Sequence, residues 1–275
     1  MSADADIVRR HLAAIGLVHE LGALAMDYYE NREKLAVTMK GSQDFLTAAD
    51  GAVEQRFRDR IAEAFPGDGV MGEEAGGGDA EHLWIIDPID GTANFARDVP
   101  NWCISIGFLR RGVPEIGVIF APAMNELYEA LRGGGARRNG RPISCADTTE
   151  MSRASIEIGW SGRRGLDAYV KLVAAVASMG AAVKRSASGA LGMAYAADGR
   201  TDGYLELHIN SWDVAAGIVI AREAGAVLND FFAGRGLTEG NPILAATPAF
   251  AEALARAMGM RSEDLLKTEA AAAIR

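Results

Sequence analysis

The sequence has only two cysteines and no long apolar run, and each shortage excludes a class of protein. Cys103 and Cys145 are too few for a disulfide framework, so we expect the reducing environment of the cytoplasm. The longest apolar candidate, residues 172–183, contains a serine and a glycine and is shorter than the roughly 20 residues of a transmembrane helix, so no membrane partner is expected. No apolar segment follows the charged residues of the first ten positions, and we therefore expect no secretory signal.

Basic residues are outnumbered, because 28 lysines and arginines stand against 37 aspartates and glutamates and give a net charge of −9. Sequence-independent binding to nucleic acid needs a basic surface that displaces counterions, so we do not expect nucleic acid as a partner. A diffuse acidic surface only keeps a protein soluble, whereas a buried cluster of carboxylates requires cations. The placement of the acidic residues therefore decides what the excess negative charge means.

Length and composition indicate an ordinary globular protein. The chain has 275 residues, of which 49% are hydrophobic and 24% are charged. This length suits one large domain or two closely packed halves. The composition changes near residues 144–152, so we predict an N-terminal half over residues 1–145 and a C-terminal half over residues 146–275 that form one compact unit.

Apolar spacing predicts a mixed α and β architecture. Apolar residues recur every three or four positions through the first thirty residues, which predicts a helix. A second helix carries the stripe Val53, Phe57 and Ile61 and ends at the breaker Pro66-Gly67. Short β-prone runs follow from residue 84 to residue 143, with Asn139-Gly140 as a hairpin signal. The predicted elements beyond this point are strands over 154–158, 181–185 and 203–207, helices over 166–179, 190–197 and 214–224, short strands near 226 and 243, and a terminal alanine-rich helix.

The most informative segment is Asp87-Pro88-Ile89-Asp90-Gly91-Thr92, which follows the short apolar strand predicted over residues 84–87. Two carboxylates three residues apart are able to hold a hard cation, and Pro88 restricts the backbone between them. Gly91 allows a ligand to approach the chain, and a helix that begins after Thr92 would direct backbone N–H groups at an anion. The alternative is a helix cap at Asp90 or Thr92, which explains one carboxylate but not both.

Two further acidic segments have both a functional and a structural interpretation. Glu73 and Glu74 lie in a glycine-rich loop over residues 72–78, where adjacent carboxylates repel each other unless they are solvated or bind a metal. Asp213 follows Trp212 and precedes an apolar helix. Taken by itself, this position predicts that Asp213 is the N-cap of the helix. Each signal is weak by itself.

The segment DFLTAAD over residues 44–50 is a fourth candidate, and its simplest interpretation is helix capping through Thr47 or Asp50. Neither cysteine falls in a candidate segment, so both are interpreted as small buried hydrophobic residues. The four histidines, at positions 11, 19, 82 and 208, have no metal-ligand spacing and are interpreted as surface or structural residues.

In this order the four segments resemble the inositol monophosphatase family of Mg²⁺-dependent, lithium-sensitive phosphatases. The resemblance rests on the Glu73-Glu74 pair, on WIIDPIDGTANF over residues 84–95, on WDVAAG over residues 212–217 and on residues 44–50. It extends from the first helix to the terminal strands and therefore covers nearly the whole chain. The resemblance implies an α+β fold that is arranged as a layered α-β-α-β-α sandwich. It also implies that two copies of the chain form a homodimer.

The resemblance also implies a site. Two or three Mg²⁺ ions would be held by Glu73, Asp87, Asp90, Asp213 and the main-chain carbonyl of Ile89. Catalytic roles are implied for Glu73, for Asp50 and Thr92, which orient and activate the attacking water, and for Glu74 beside them. Contacts to a small phosphorylated substrate are implied for Asp90, Gly91, Thr92, Ala190, Glu206 and Asp213.

The expected substrate is a myo-inositol monophosphate, and departures from the family pattern leave alternatives open. Ala75 stands where a serine commonly follows the two glutamates, and Lys40 lies one residue closer to Asp50 than expected. The stretch WSGRR over residues 160–164 is unexpected for an animal-type inositol phosphatase. Histidinol phosphate, fructose 1,6-bisphosphate and adenosine 3',5'-bisphosphate are the alternatives, and a second phosphate would need basic residues such as Arg163, Arg164 or Lys184.

Two questions remain at this stage. Glu206 would accept hydrogen bonds from polyol hydroxyls or pair with an ammonium group, or else it is an exposed strand residue paired with an arginine. A function of a different class, as a regulatory RNA or transcription-complex partner, also stays open, although the intact acidic set indicates that catalysis is retained.

Overall fold

The computed structural model describes residues 3–31, 33, 35, 37–41, 44–78 and 80–266. The helices are α1 (Ala3–Glu30), α2 (Ala48–Ala64), α3 (Thr92–Ala96), α4 (Leu166–Ser178), α5 (Gly189–Ala197), α6 (Ser211–Glu223), α7 (Gly236–Glu239) and α8 (Ala251–Ala257). The first strands are β1 (Val37–Gly41), β2 (Asp44–Thr47), β3 (Gly69–Gly72), β4 (His82–Asp90), β5 (Cys103–Arg110), β6 (Val113–Ala121), β7 (Glu126–Leu131), β8 (Ala136–Arg138) and β9 (Arg141–Pro142). The later strands are β10 (Ser155–Ile158), β11 (Ala182–Lys184), β12 (Gly203–Ile209), β13 (Val227–Leu228) and β14 (Asn241–Ala246).

Five layers build the molecule. Helices α1 and α2 cover one face of a seven-stranded sheet of order β3-β4-β5-β6-β7-β8-β9, and α5 and α6 pack on its other face. A five-stranded sheet of order β11-β10-β12-β14-β13 follows, and α4 and α8 cover its outer side. Separate apolar cores fill the spaces between successive layers. Among the described residues, no helix is both long enough and apolar enough to cross a membrane.

Local signals account for the predicted helices. The apolar stripe of α2, with Val53, Phe57 and Ile61, is buried, and the helix ends before the Pro66-Gly67 breaker as predicted. The helix from residue 190 begins one residue earlier, at Gly189. The alanine-rich end of the sequence, residues 267–275, lies outside the described residues, as does the side chain of Lys40.

Strand β4 differs from its prediction. It was expected to end at Asp87, but it continues through Pro88 to Asp90. In a regular strand, side chains three positions apart point to opposite faces of the sheet. The pairing of β4 with β5 shifts register between Asp87 and Asp90, and this irregularity allows both carboxylates to reach one cluster.

Helix α6 approaches the large sheet closely enough to place Asp213 beside β4. The contact depends on two glycines in β5 and β6, because a Cβ at Gly107 would lie 2.6 Å from the Cβ of Ala215, and a Cβ at Gly117 would lie 2.2 Å from the carbonyl oxygen of Ala216.

The prediction that Asp213 is an N-cap is wrong. Helix α6 begins at residue 211 with Asn210 as its N-cap, and Asp213 is its third residue.

Candidate active site and metal centre

Three carboxylates from distant parts of the chain meet at the end of β4. Asp87 and Asp90 come from β4 and Asp213 comes from the first turn of α6. Each offers one carboxylate oxygen, and these oxygens all lie within 4.8 Å of one another. Asp87 and Asp90 are buried, with 1% and 6% of their surfaces exposed. Apart from this trio, the described part of the chain contains no comparable cluster of histidine, cysteine and acidic residues.

The cluster is unstable as a set of bare charges. Burial raises the pKa of Asp87 well above its ordinary value, and the nearby charges of Glu73, Asp90 and Asp213 raise it further. Burial, followed by repulsion from Asp90, raises the pKa of Asp213 to about 7. A divalent cation would remove the repulsion, and carboxylate oxygens are the ligands that Mg²⁺ and Ca²⁺ prefer. The donor set therefore fits the divalent cation that the resemblance implies.

Asp90 is held from across the molecule by the start of α5. The hydroxyl of Ser188 and the N–H of Ala190 each donate to Oδ2 of Asp90 at 2.6 Å, and the N–H of Gly189 donates to Oδ1 at 3.2 Å. Ala190 itself is fully buried and does not line the pocket described below. The structure therefore brings Ala190 to Asp90, and a contact of Ala190 with substrate stays a prediction.

Asp50 and Thr92 connect α2 to the end of β4. Thr47 caps α2, and both its N–H and its hydroxyl donate to Oδ2 of Asp50. The hydroxyl of Thr92 lies 2.9 Å from the carbonyl oxygen of Ile89 and 3.3 Å from Oδ1 of Asp50. Burial raises the pKa of Asp50 to about 6. The capping interpretation of residues 44–50 is therefore confirmed, and the contact of Asp50 with Thr92 leaves its catalytic role a prediction.

The Glu73-Glu74 loop rests on a carboxylate that sequence analysis missed. Glu54 of α2 is 2% exposed, and it accepts the N–H of Glu74 at 2.8 Å and that of Ala75 at 3.0 Å. Arg58, one turn later, donates to Glu54 at 2.9 Å and to the carbonyl oxygen of Gly76 at 2.5 Å. The Glu54–Arg58 spacing was the available signal, but this spacing is also typical of a solvent-exposed helix pair.

A pocket of about 680 Å³ opens beside the cluster. The predicted site residues that line it are Glu73, Asp90, Gly91, Thr92, Glu206 and Asp213. Glu206 is buried and accepts the Tyr204 hydroxyl at 2.6 Å, and burial raises its pKa to about 8. The alternative that Glu206 is an exposed residue paired with an arginine is therefore wrong.

Gly91 has a φ of 95°, a left-handed conformation that favours glycine, and it precedes α3.

Three further residues of the site carried no signal in the sequence. Glu157 of β10 is buried, lines the pocket and accepts the N–H of Ser186 at 3.0 Å. Cys103 is buried as predicted, but its thiol lies 3.7 Å from Oδ2 of Asp90, so it borders the cluster. His208 also lines the pocket, whereas it was interpreted as surface or structural. All three come from elements that reach the site only through tertiary packing.

Comparison with known proteins identifies relatives along most of the chain. A model of the inositol monophosphatase family matches residues 8–262. The chain is 32% identical over 259 residues to Nus factor SuhB of Escherichia coli, covering 92% of this chain and 97% of that protein. It is 35% identical over 241 residues to an inositol-1-monophosphatase of Mesorhizobium japonicum, covering 86% and 90%. The crystal structure of extragenic suppressor protein suhB from Bartonella henselae superimposes with a TM-score of 0.83 at 30% identity, covering 94% of this chain and 98% of that chain. The predicted layered α+β sandwich is thereby confirmed.

Proposed function

The chain belongs to the inositol monophosphatase family, and on that premise we propose that it is a Mg²⁺-dependent phosphatase of small phosphate monoesters. The observation that carries the proposal is the buried trio Asp87, Asp90 and Asp213, whose carboxylate oxygens lie within 4.8 Å of one another beside a pocket. Buried carboxylates at this spacing destabilise the fold unless a cation compensates them. A metal-dependent reaction on an anionic substrate explains why the chain retains them.

In the proposed site, Asp87, Asp90 and Asp213 hold Mg²⁺ together with Glu73 and the carbonyl oxygen of Ile89. When bound, Mg²⁺ supplies positive charge that polarises the phosphoryl group and makes a water molecule easier to deprotonate. The resemblance suggests more than one ion, and a titration of metal binding would count them. The backbone N–H groups near Gly91 and Thr92 are proposed to receive the phosphate oxygens.

Asp50 and Thr92 are proposed to prepare the water that attacks phosphorus. A carboxylate whose pKa is about 6 is largely ionised at neutral pH and is still basic enough to accept a proton. The Thr92 hydroxyl lies within hydrogen-bonding distance of Asp50 and of the Ile89 carbonyl, so its oxygen is free to accept a hydrogen bond from the water. The water is thereby oriented by Thr92, and its proton passes to Asp50.

The preferred leaving group is proposed to be a polyol, with myo-inositol 1-phosphate as the reference substrate. Glu206 is buried, lines the pocket and accepts the Tyr204 hydroxyl at 2.6 Å. A carboxylate accepts several hydrogen bonds, so Glu206 would also accept hydrogen bonds from the hydroxyls of a polyol. Comparison of inositol phosphate with histidinol phosphate tests this contact against pairing with an ammonium group.

The test is phosphate release with Mg²⁺ or with a chelator, across inositol 1-phosphate, histidinol phosphate, fructose 1,6-bisphosphate, adenosine 3',5'-bisphosphate and nitrophenyl phosphate. We expect turnover only with Mg²⁺ and lower KM for the polyol phosphates. Glu206→Gln should raise KM for inositol phosphate and spare nitrophenyl phosphate. Turnover of none of these esters at any Mg²⁺ concentration would refute the proposal.

A second candidate function is an association with transcription complexes. It is favoured by the 32% identity to Nus factor SuhB over 97% of that protein. The two functions separate in the Asp87→Asn variant, because loss of phosphate release need not affect a binding surface elsewhere. Pull-down of RNA polymerase by both wild type and variant would support a second role, and its absence from both would dismiss it.

The homodimer that the resemblance implies is also a proposal, and analytical ultracentrifugation would test it.

A further inference from the structure

We propose that Glu157 is a positioning residue, which holds the metal-site carboxylate Asp90 in place through the β11–α5 loop, residues 185–188. The inference rests on the proposed phosphatase function, because it takes Asp90 as a ligand of Mg²⁺. It assigns a role to a buried acid that the proposed mechanism does not use. Glu157 itself binds neither the metal nor the phosphate.

The end of the β11–α5 loop leads into the donors that orient Asp90. Oδ2 of Asp90 accepts the Ser188 hydroxyl and the Ala190 N–H, and its Oδ1 accepts the Gly189 N–H. Asp90 is buried, so these protein donors fix the direction of its carboxylate. Because the three donors are consecutive in the chain, a shift of the loop would move all of them together and would displace a metal ligand.

The loop passes through an unfavourable backbone conformation. Ala187 has a φ of 64°, a left-handed conformation in which the Cβ of an L-residue crowds its own backbone. In the described part of the chain, the other non-glycine residues with a positive φ are Asp98, Arg111, Asn125 and Asn139. Three of these are Asp or Asn, whose short polar side chains tolerate the conformation, whereas alanine has no such group. A conformation of this kind persists only where the surrounding contacts hold it.

Glu157 supplies the contact on one side of Ala187. Its Oε1 accepts both the N–H of Ser186, at 3.0 Å, and the Ser186 hydroxyl. The Ser186 carbonyl oxygen accepts the side-chain N–H groups of Asn94 at 2.9 Å and of Asn101 at 3.2 Å. All polar groups of Ser186 are therefore paired, and Glu157 takes two of them. Burial raises the pKa of Glu157 and the bonds from Ser186 oppose this rise, so these bonds favour the carboxylate form.

Packing under α5 keeps Glu157 itself in place. Glu157 lies in β10 opposite Tyr204 of β12, and 3% of its surface is exposed. A Cβ at Gly192 of α5 would lie 3.3 Å from Cδ of Glu157 and 2.4 Å from Cδ2 of Tyr204, so the helix packs closely on both side chains. A carboxylate fixed between a sheet and a helix is a rigid support for the loop that precedes this helix.

Calorimetric titration of Mg²⁺ tests the role without turnover. Glu157→Met, which removes both acceptor oxygens, should raise the Kd for Mg²⁺ about tenfold, the usual effect of losing a group that orients a metal ligand. Glu157→Gln keeps an acceptor oxygen and should stay within about threefold of wild type. Glu115→Met is the control and should keep the wild-type Kd, because Glu115 is also buried in a strand and pairs with Arg110 but does not line the pocket. Equal Kd values for Glu157→Met and Glu115→Met would overturn the proposal.

A second substitution separates the loop from a general loss of stability. Glycine adopts the left-handed conformation without steric cost, so Ala187→Gly should lower the Kd of Glu157→Met at least about threefold. Asn125→Gly changes a residue with a positive φ in an exposed loop and should leave this Kd unchanged. No rescue by Ala187→Gly, or equal rescue by Asn125→Gly, would contradict the proposal. Should Glu157→Met not fold, Ser186→Ala takes its place in the titration with an expected rise of about threefold, because it removes one of the two bonds to Glu157.

Phosphate release distinguishes positioning from a contact with substrate. At saturating Mg²⁺, Glu157→Met should have a kcat within a few-fold of wild type and a KM within about twofold, for inositol 1-phosphate and for nitrophenyl phosphate alike. A rise in KM for inositol 1-phosphate alone, with an unchanged Kd for Mg²⁺, would make Glu157 a substrate contact and refute the positioning role.

The two assays also separate this role from the proposed function. If no ester is hydrolysed but the Kd for Mg²⁺ responds to Glu157→Met and Ala187→Gly as expected, the proposed function fails and the positioning role stands. If wild type hydrolyses inositol 1-phosphate while Glu157→Met keeps the wild-type Kd, the function stands and the positioning role fails. Absence of Mg²⁺ binding by wild type would overturn both.

Discussion

The hydroxyl of Ser188 donates a hydrogen bond of 2.6 Å to Oδ2 of Asp90, although the two residues are 98 positions apart. Ser188 is at the same time the N-cap of α5, because its hydroxyl accepts the N–H of Leu191. One side chain thus begins a helix between the two sheets and fixes a carboxylate at the end of β4. Alignment of the acidic cluster depends on the packing of α5.

Ser188→Ala should lower both stability and metal affinity. Loss of the cap should cost about 1 kcal/mol of unfolding free energy. Burial raises the pKa of Asp90 and the hydrogen bond from Ser188 opposes this rise, so its removal should favour the protonated carboxyl and weaken Mg²⁺ binding several-fold at neutral pH. Urea unfolding in chelator and calorimetric Mg²⁺ titration measure the two effects. Ser178→Ala, at an exposed serine in α4, is the control, and equal Mg²⁺ affinity in both variants would contradict the prediction.

Asp87→Asn should abolish phosphate release without destabilising the metal-free protein. The substitution removes an anionic ligand, which should lower kcat/KM at least about a hundredfold, because a metal supplies several kcal/mol of charge stabilisation. It also removes a buried charge that Glu73, Asp90 and Asp213 repel. Thermal melts in chelator should show a Tm equal to or above that of wild type. A large drop in Tm would instead indicate that the charge of the Asp87 carboxylate stabilises the metal-free fold.

Thr92→Ala should reduce kcat about 10²- to 10⁴-fold, the usual effect of a lost proton-transfer or positioning group. Mg²⁺ affinity should change much less than kcat, because the hydroxyl is not itself a proposed ligand and contacts only one of the five proposed ligands, the Ile89 carbonyl. Stopped-flow or steady-state phosphate release is compared with a calorimetric Mg²⁺ titration. If kcat stays within a few-fold of wild type, Thr92 is only a structural residue at the start of α3.

Glu54→Gln should weaken Mg²⁺ binding by about tenfold, because the loop that carries Glu73 would lose its anionic anchor. Glutamine keeps the size of the side chain, but its NH₂ group would face one of the two N–H groups of Glu74 and Ala75, and only the other would keep an acceptor. Glu63→Gln, an exposed position in the same helix, is the control. Similar Mg²⁺ affinities for Glu54→Gln and Glu63→Gln would show that Glu54 supports the fold and not the metal site.

Metal-free stability should fall as pH rises from about 5 to 8. The folded-state pKa is raised to about 6 for Asp50, about 7 for Asp213 and about 8 for Glu206. The folded protein therefore binds protons more tightly than the unfolded chain, and this contribution is complete below the unfolded values near 4 and lost as pH rises through the folded values. Urea unfolding in chelator measures the slope. Asp213→Asn should flatten it, and Mg²⁺ should stabilise wild type more at pH 8 than at pH 5.

The sequence by itself determined most of the local elements and predicted two of the three carboxylates of the cluster, Asp87 and Asp90. Helix α2 follows from three- and four-residue apolar spacing and a Pro-Gly stop, and the β8–β9 hairpin follows from Asn139-Gly140, since these signals act over a few residues. The Asp87–Thr92 segment pointed to a metal site for the same reason, because two acids and a proline are adjacent in the chain. Asp213 was added only by resemblance to a family.

Only the tertiary structure decided how these residues meet. The register shift in β4 that brings Asp87 and Asp90 together depends on pairing with β5, and the position of Asp213 depends on how closely α6 packs on Gly107 and Gly117. The burial of Glu54 and the approach of Cys103 to Asp90 likewise arise from contacts between separate elements. Sequence signals extend over one helical turn or one hairpin, whereas pKa, burial and ligand spacing depend on side chains from separate elements, which in the case of Asp90 and Asp213 are more than a hundred positions apart.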